Sequence, residues 1–164
     1  MNTEPPRRLR AVDILRDPVH LPAFGFGAGL APRAPGTCGT LVAVPIAFCL
    51  ALLAPWWRAA VIVALCVAGV WICGHSARRL GVHDYPGIVF DEIAGYQVAV
   101  AIAPFSWITL GVCFVLFRFF DILKPWPVGW LDRHIRGGAG IMLDDIAAGI
   151  YAGVLWLVVA QWIP

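Results

Sequence analysis

Charged residues are scarce in this 164-residue chain, where they make up 13% of the sequence and lysine occurs once, at position 124. Soluble domains carry about 25% charged residues, so the chain is not of the ordinary soluble type. The formal net charge is only +2, and no basic patch alternates with aromatic residues. Nucleic acid is therefore not expected as a partner. The five cysteines lack the CxxC spacing of a zinc site, and we interpret them as small buried hydrophobic residues.

The N-terminal region has no long apolar run before residue 38 and no small-residue cleavage site. No removable signal peptide is therefore expected. We interpret residues 1–20 as a polar N-terminal segment, in which Val12 to Leu15 could form a short amphipathic helix on a membrane face. Residues 21–164 are interpreted as one domain.

Apolar residues dominate the rest, with 60% hydrophobic residues and a mean hydropathy of +0.80. A core of this size cannot bury so much apolar surface, so we expect a bilayer to cover the excess. The fold class predicted is all-α, a multi-helix bundle with about five apolar, membrane-embedded helices, some of them too short for a full span. The predicted helices are roughly Leu41–Leu53, Ala59–Gly74, Ile88 to about Ala103, Trp107–Phe120 and Ile141–Ile163.

The positive residues are distributed unevenly over this topology. With the N-terminus in the cytoplasm, eleven of the twelve fall on the cytoplasmic side, and only Arg58 falls on the other. The positive-inside rule predicts this asymmetry for a five-span protein. We therefore predict a multi-pass membrane protein whose N-terminus lies inside.

Seven of the ten acidic residues cluster in an apolar part of the chain: Asp84, Asp91, Glu92, Asp121, Asp132, Asp144 and Asp145. A carboxylate in such surroundings costs several kcal/mol of desolvation unless a cation lies beside it. The predicted helix ends bring all seven to the cytoplasmic face. Hard oxygen ligands without clustered His or Cys favour Mg²⁺ over zinc or iron. The alternative is that acids at a helix start only complement its dipole.

Asp91-Glu92 and Asp144-Asp145 are adjacent pairs, whose side chains point about 100° apart on a helix. One member of each pair is expected to face the metal. Asp145 shares a helix face with Gly149 and Gly153, and Asp91 shares one with Gly95. Such small-residue faces let two helices approach closely, which would bring the acidic ends together. The candidate metal ligands are Asp91, Glu92, Asp121, Asp144 and Asp145.

Other residues are candidates for binding phosphate. Arg118, Asp121 and Lys124 are spaced three apart at a helix end that Pro125 terminates. Lys124 has two readings, a phosphate ligand or a lysine that extends to the membrane interface. The Gly36–Thr40 segment, placed just before a helix, offers backbone N–H groups to an anion, with a simple N-cap at Thr37 or Thr40 as the alternative.

In such a site a metal-activated water would attack phosphorus, with Arg118, Lys124 or Arg133 balancing the charge. His83-Asp84 could supply a proton to the leaving group. The glycine-rich stretches are expected to be a tight turn at Gly25–Gly29 and a headgroup-wrapping turn or a hinge at Gly137–Gly140. The candidate catalytic residues are Asp91, Glu92, Asp121, Lys124, Asp132, Arg133 and Asp145. The candidate substrate-binding residues are Thr37, Gly39, Thr40, His83, Asp84 and Arg118.

From Leu21 onward the sequence resembles the bacterial phosphatidylglycerophosphatase A family. The motifs that carry the resemblance are Gly36–Thr40, Gly81–Asp84, Ile88–Gly95, Phe117–Pro127, Asp132-Arg133 and Gly138–Gly149. The resemblance implies a mostly helical, Mg²⁺-dependent lipid phosphatase of the inner membrane with its active site in the cytoplasm. Its substrate would be the phospholipid phosphatidylglycerophosphate, cleaved to phosphatidylglycerol and phosphate in glycerophospholipid biosynthesis.

Two other classes of phospholipid enzyme have sequence motifs that this chain lacks. A CDP-alcohol phosphotransferase needs a D-G-x-x-A-R run and a haloperoxidase-like lipid phosphatase needs a Ser-Gly-His stretch, and the sequence has neither. A small membrane transporter or a noncatalytic membrane scaffold stays open as the alternative. In a transporter the carboxylates should lie near the middle of the spans.

Overall fold

The computed structural model of this chain describes residues 11–82 and 85–162. Within these ranges every regular element is a helix and there is no strand, which confirms the predicted all-α class. The elements are α1 (Ala11–Arg16), α2 (His20–Ala23), a 3₁₀ segment (Gly25–Leu30), α3 (Pro35–Ala51), α4 (Pro55–Leu80), α5 (Phe90–Ile102), α6 (Trp107–Leu123), α7 (Val128–His134) and α8 (Gly137–Ala160).

Helix boundaries differ from the prediction at two glycine-containing segments. α3 begins at Pro35, because proline suits the first helical position, so Gly36–Thr40 forms its first turns and is not a loop ahead of the helix. α8 begins at Gly137, so the glycine run predicted as a turn or hinge is its first turn. These glycines serve close packing, since a Cβ atom on Gly138 would overlap the Val70 carbonyl oxygen of α4.

The count of about five membrane-embedded helices is not confirmed. Among the described residues, α4 and α8 are the helices that are long and apolar enough to cross a membrane, judged by length and composition alone. α3 is apolar but has 17 residues, and α5 has only 13, fewer than the roughly 20 that a span needs.

α5 and α8 lie side by side at the centre of the bundle, along the glycine face predicted from the sequence. A Cβ atom on Gly153 would lie 2.6 Å from the Ala99 carbonyl oxygen, and one on Gly149 would overlap the Gly95 carbonyl oxygen. Larger side chains would hold the two helices apart. Buried Tyr96, Phe117 and Trp156 fill the core around this contact.

Polar side chains fix α5 against its neighbours. The Tyr96 hydroxyl donates to the Leu110 carbonyl oxygen of α6 at 2.8 Å, and the Gln97 amide donates to the Ala43 carbonyl oxygen of α3 at 2.9 Å. Near the other end of α5, Arg58 of α4 donates to the Val100 carbonyl oxygen at 2.7 Å. The bonds of Tyr96 and Gln97 are buried and therefore costly to lose, so they fix the middle of α5 against α6 and α3.

The N-terminal elements pack against α4. His20 and Ser76 share a buried hydrogen bond of 2.8 Å, and Asp17 forms an ion pair with Arg79 at 2.6 Å. The tight turn predicted at the glycine-rich stretch is present, with positive φ angles at Gly25, Phe26 and Gly27. The Phe26 side chain is 65% exposed beside this turn.

Candidate active site

A polar cavity of about 260 Å³ lies where α5 begins and α6 ends. The acidic residues reach it from three helices, since Asp91 and Glu92 lie in the first turn of α5, Asp132 lies in α7, and Asp144 and Asp145 lie about two turns into α8. Residues far apart in sequence thus converge at one end of the bundle, as predicted. The lining residues are Gly36, Pro86, Ile88, Asp91, Glu92, Arg118, Lys124, Asp132, Gly140, Ile141, Asp144 and Asp145.

Asp91, Glu92 and Asp145 form what we term the carboxylate trio. Each offers a carboxylate oxygen, and these three oxygens lie within 4.8 Å of one another. The side chains are largely buried, and Asp91 Oδ1 and Glu92 Oε2 have no hydrogen-bond partner. Carboxylates this close repel one another where water does not screen them, so the arrangement favours a bound cation.

The surroundings of the trio disfavour its charged form when no cation is present. Burial and the neighbouring Glu92 charge raise the pKa of Asp91 well above its ordinary value. Burial likewise raises the pKa of Glu92 to about 7, against the opposing effect of Arg118. A divalent cation would reverse this balance, because it stabilises the ionised carboxylates.

Arg118 lies on one side of the trio. Its Nη1 atom is 2.5 Å from Asp121 Oδ2 and 3.6 Å from Glu92 Oε1. The contact with Asp121 is an ion pair without hydrogen-bond geometry. Arg118 Nε and Nη1 are therefore buried without a hydrogen-bond acceptor. Gly36 makes room here, since a Cβ atom on it would overlap Glu92 Oε1 and lie 3.0 Å from Arg118 Nη1.

Lys124 also lines the cavity and bridges two acids. Its Nζ atom donates to Asp132 Oδ1 at 2.7 Å and to Asp144 Oδ2 at 2.8 Å. Burial lowers the pKa of Lys124, but the hydrogen bonds to the two carboxylates outweigh burial and raise it, so the ammonium stays charged. The backbone is left-handed at φ +46°, where lysine is about 1–2 kcal/mol less favourable than glycine. A lysine at this strained position is therefore explained by the two hydrogen bonds that its side chain makes.

The structure places the other predicted residues less centrally. Asp121 does not line the cavity, but its carboxylate pairs with Arg118 and lies within hydrogen-bonding reach of Asp145. Arg133 donates its Nε–H to the Gly129 carbonyl oxygen, away from the lining. Gly39 packs against Val89, and the Thr40 hydroxyl donates to the Gly36 carbonyl oxygen. Neither Gly39 nor Thr40 lines the cavity, and nor does Thr37. His83 and Asp84 lie outside the described residues.

Several lining residues were not predicted from the sequence. Gly36 lies in a segment singled out for its backbone N–H groups, but its actual contribution is the absence of a side chain beside Glu92 and Arg118. Gly140 has a similar role, since a Cβ atom there would overlap the Ile135 carbonyl oxygen. The apolar parts of the wall are formed by Pro86, Ile88 and Ile141. Nothing in the sequence distinguishes these three residues from core residues.

The fold and the site together define an all-helical protein with a buried acidic centre, flanked by two cations, at one end of an apolar bundle. Residues 21–160 match the family model described as phosphatidylglycerophosphatase A. The chain belongs to this family, and it is accordingly a phosphatase.

Three named proteins are similar to this chain over most of their lengths. The chain is 42% identical to phosphatidylglycerophosphatase A of Escherichia coli strain K12, over 90% of this chain and 87% of that protein. It is 39% identical to phosphatidylglycerophosphatase A of Haemophilus influenzae, over 94% and 95% of the two chains. A Bacteroides thetaiotaomicron protein named provisionally as a phosphatidylinositol-3-phosphatase is 35% identical, over 91% and 99%. No solved structure matches the chain significantly.

Proposed function

We propose that this chain hydrolyses the terminal phosphate monoester of phosphatidylglycerophosphate, releasing phosphatidylglycerol and inorganic phosphate. The observation that carries the proposal is the cavity in which the carboxylate trio lies between Arg118 and Lys124. Phosphoryl transfer depends on positioning the phosphate and balancing its charge, and this cavity offers both an acidic metal site and two cations.

We propose Mg²⁺ as the cofactor, held by the carboxylate trio. The fit is supported by hard oxygen ligands and by two buried oxygens of the trio that lack any hydrogen-bond partner. One carboxylate oxygen of Asp121 pairs with Arg118 and one of Asp144 with Lys124, so their proposed role is to hold these cations. Asp144 also keeps a buried oxygen, Oδ1, without a hydrogen-bond partner, and this oxygen could supply a further ligand. When bound, Mg²⁺ would polarise the phosphoryl oxygens and lower the pKa of a coordinated water.

Arg118 and Lys124 are proposed to bind the non-bridging phosphate oxygens from opposite sides. Asp132 and Asp144 hold the Lys124 ammonium in place. The lysine therefore needs little reorganisation when the phosphate enters. Arg118 keeps Nε and Nη1 without hydrogen-bond acceptors in a buried setting, and a phosphate oxygen would satisfy them. This division of roles leaves the trio free for the metal.

We propose that the protein lies in a bacterial inner membrane, with the cavity and the N-terminus on the cytoplasmic side and with α4 and α8 crossing it. Gly36, at the start of α3, lines that cavity, and α3 leads to the start of α4, so α3 would cross beside them as a short span. Only 28% of the most apolar window of α4 is buried, unlike the core helix of a soluble protein. Trp56, Trp57 and Trp71 of α4 are exposed, which suits the interface and the bilayer. Residues 21–164 would act as one domain.

A transporter or scaffold is disfavoured by where the acids lie. Asp91 is in the first turn of α5, Asp121 is in the last turn of α6, and Asp144 and Asp145 are about two turns into the 24-residue α8, so the acidic group sits toward one end of the bundle. A transport site is expected near the middle of the spanning helices.

The test is phosphate release by the purified protein in detergent, with Mg²⁺ or with a chelator. The substrates are phosphatidylglycerophosphate, phosphatidylinositol 3-phosphate and glycerol 3-phosphate. We expect Mg²⁺-dependent release that is fastest from phosphatidylglycerophosphate. Preference for the inositol lipid would overturn the substrate assignment, and full turnover in the chelator would overturn the metal assignment.

A further inference from the structure

A second cavity, of about 420 Å³, lies beside the polar one, in the range of roughly 300–1,000 Å³ that is typical of small-molecule sites. We call it the apolar groove after its lining side chains, which are apolar except for the Tyr85 hydroxyl; polar backbone atoms also face it. One wall is formed by Ile14, Phe24 and Leu30 of the N-terminal elements, and the other by Tyr85 and Pro86. None of the described residues that line it carries a charge.

The apolar groove adjoins the polar cavity. Pro86 lines both of them. Pro35 lines the groove, and the next residue, Gly36, lines the cavity. Likewise, Gly87 lines the groove, and the next residue, Ile88, lines the cavity. A single molecule could therefore occupy both spaces at once.

The walls of the groove are held together by close contacts. A Cβ atom on Gly29 would overlap the Gly87 carbonyl oxygen, so the 3₁₀ segment and the 85–87 loop touch backbone to backbone. The Phe24 and Tyr85 rings pack with their centroids 5.7 Å apart. The groove is thus a formed feature with two fixed walls.

Exposed apolar side chains flank the groove. Leu15 follows the lining residue Ile14 and is 49% exposed, and Phe26 lies between lining residues and is 65% exposed. A Cβ atom on Gly27 would be 3.8 Å from Leu15 Cδ2, so α1 and the glycine-rich turn form one surface. Exposed aromatic and aliphatic side chains at such a rim suit contact with a lipid interface.

We propose that the apolar groove binds the acyl-bearing part of the phospholipid substrate while its terminal phosphate lies in the polar cavity. This inference rests on the proposed function. An uncharged groove next to a cavity lined by two cations and five acids matches the polarity of one amphiphilic molecule, charged at one end and uncharged at the other. The groove would thus make the enzyme select phosphate monoesters that carry acyl chains.

The test is to fill the groove and compare two substrates with the same headgroup. Ala31 lines the groove on extended backbone at φ −58° and ψ 131°, so Ala31→Trp introduces bulk there. The matched control is Ala54→Trp, at an exposed position with similar angles, φ −56° and ψ 145°, in front of α4. The substrates are dioleoyl phosphatidylglycerophosphate in mixed micelles and its deacylated headgroup, glycerophosphoglycerophosphate.

For Ala31→Trp we expect kcat/KM to fall at least about 10-fold on the acylated lipid and to stay within about twofold on the deacylated compound. Ala54→Trp should behave as the wild type on both. Should Ala31→Trp fail to fold, Ala31→Leu is expected to give the same pattern with a loss of about threefold.

Unchanged kinetics on the acylated lipid, or an equal loss on both substrates, would overturn the role of the groove while the phosphatase assignment stands. If the wild type released phosphate from neither substrate, the proposed function would fall, and the assignment of the groove with it.

Discussion

Gly95 of α5 lies directly against Asp145 of α8, so that a Cβ atom on Gly95 would come within 2.7 Å of the Asp145 carbonyl oxygen. The packing of the two central helices and the position of one member of the carboxylate trio are therefore set by the same contact. Any side chain at residue 95 must move α8 relative to α5, and Asp145 with it.

Gly95→Ala should therefore destabilise the protein by about 1–3 kcal/mol and reduce phosphate release, because the new methyl group separates α5 from α8. The matched control is Gly111→Ala in α6, where an added Cβ atom meets nothing within 4 Å. The control should gain up to about 1 kcal/mol from the better helix propensity of alanine. Thermal unfolding in detergent measures both. Equal stability of the two variants would show that the close approach is not needed.

Asp91→Asn and Asp145→Asn should each lower phosphate release at least about 100-fold, because each removes a charge from the proposed metal site. The control is Asp17→Asn, which keeps an oxygen for the backbone N–H groups of Val19 and His20 and loses only an exposed ion pair with Arg79. That pair contributes less than about 1 kcal/mol. Activity in the two trio variants matching that of Asp17→Asn would remove Asp91 and Asp145 from the mechanism.

Lys124→Gln should raise KM and lower kcat, because it removes a phosphate-binding cation and leaves Asp132 and Asp144 facing each other without one. Lys124→Arg should retain part of the activity, since it keeps the charge but not the compact ammonium. Arg79→Gln, which changes an exposed cation outside the cavity, serves as the control. Steady-state kinetics of the three variants decide the matter, and a Lys124→Gln enzyme with wild-type constants would contradict the assignment.

Without a divalent cation, stability should fall as pH rises from about 5 to 8. The folded protein holds protons on Asp91 and Glu92 that the unfolded chain has already lost, because burial raises the pKa of both and brings that of Glu92 to about 7. The folded state thus binds more protons in this window, and rising pH favours unfolding. Added Mg²⁺ should restore more stability at pH 8 than at pH 5. The measurement is the thermal unfolding midpoint in the presence of a chelator at each pH. A midpoint that stays constant or rises between pH 5 and 8 would contradict this coupling.

The sequence predicted the features that depend on helical periodicity and on spacing. Gly95, Gly149 and Gly153 align on helix faces at intervals of four, and the close contact of α5 with α8 follows from that alignment. The convergence of Asp91 and Asp145 at one end of the bundle was predicted for the same reason. Arg118 and Asp121, three residues apart on α6, pair as their spacing indicates.

Features that depend on tertiary contact could not be predicted in this way. Glycine has poor helix propensity, so the Gly137–Gly140 run was interpreted as a turn, although contact with α4 makes it the start of α8. The helix α7 (Val128–His134) lies between the fourth and fifth predicted helices, where the sequence predicts no helix. Lys124 was expected to continue the face of α6, but its left-handed backbone turns the side chain toward α7 and α8.

The central claim is that the carboxylate trio binds one divalent cation, and the most direct test is titration of the purified protein with Mn²⁺, a spectroscopic substitute for Mg²⁺, followed by electron paramagnetic resonance. The account predicts one saturable site in the wild type and in Asp17→Asn, displaced by Mg²⁺ and absent from Asp91→Asn and Asp145→Asn. Equal binding in all four proteins would contradict it.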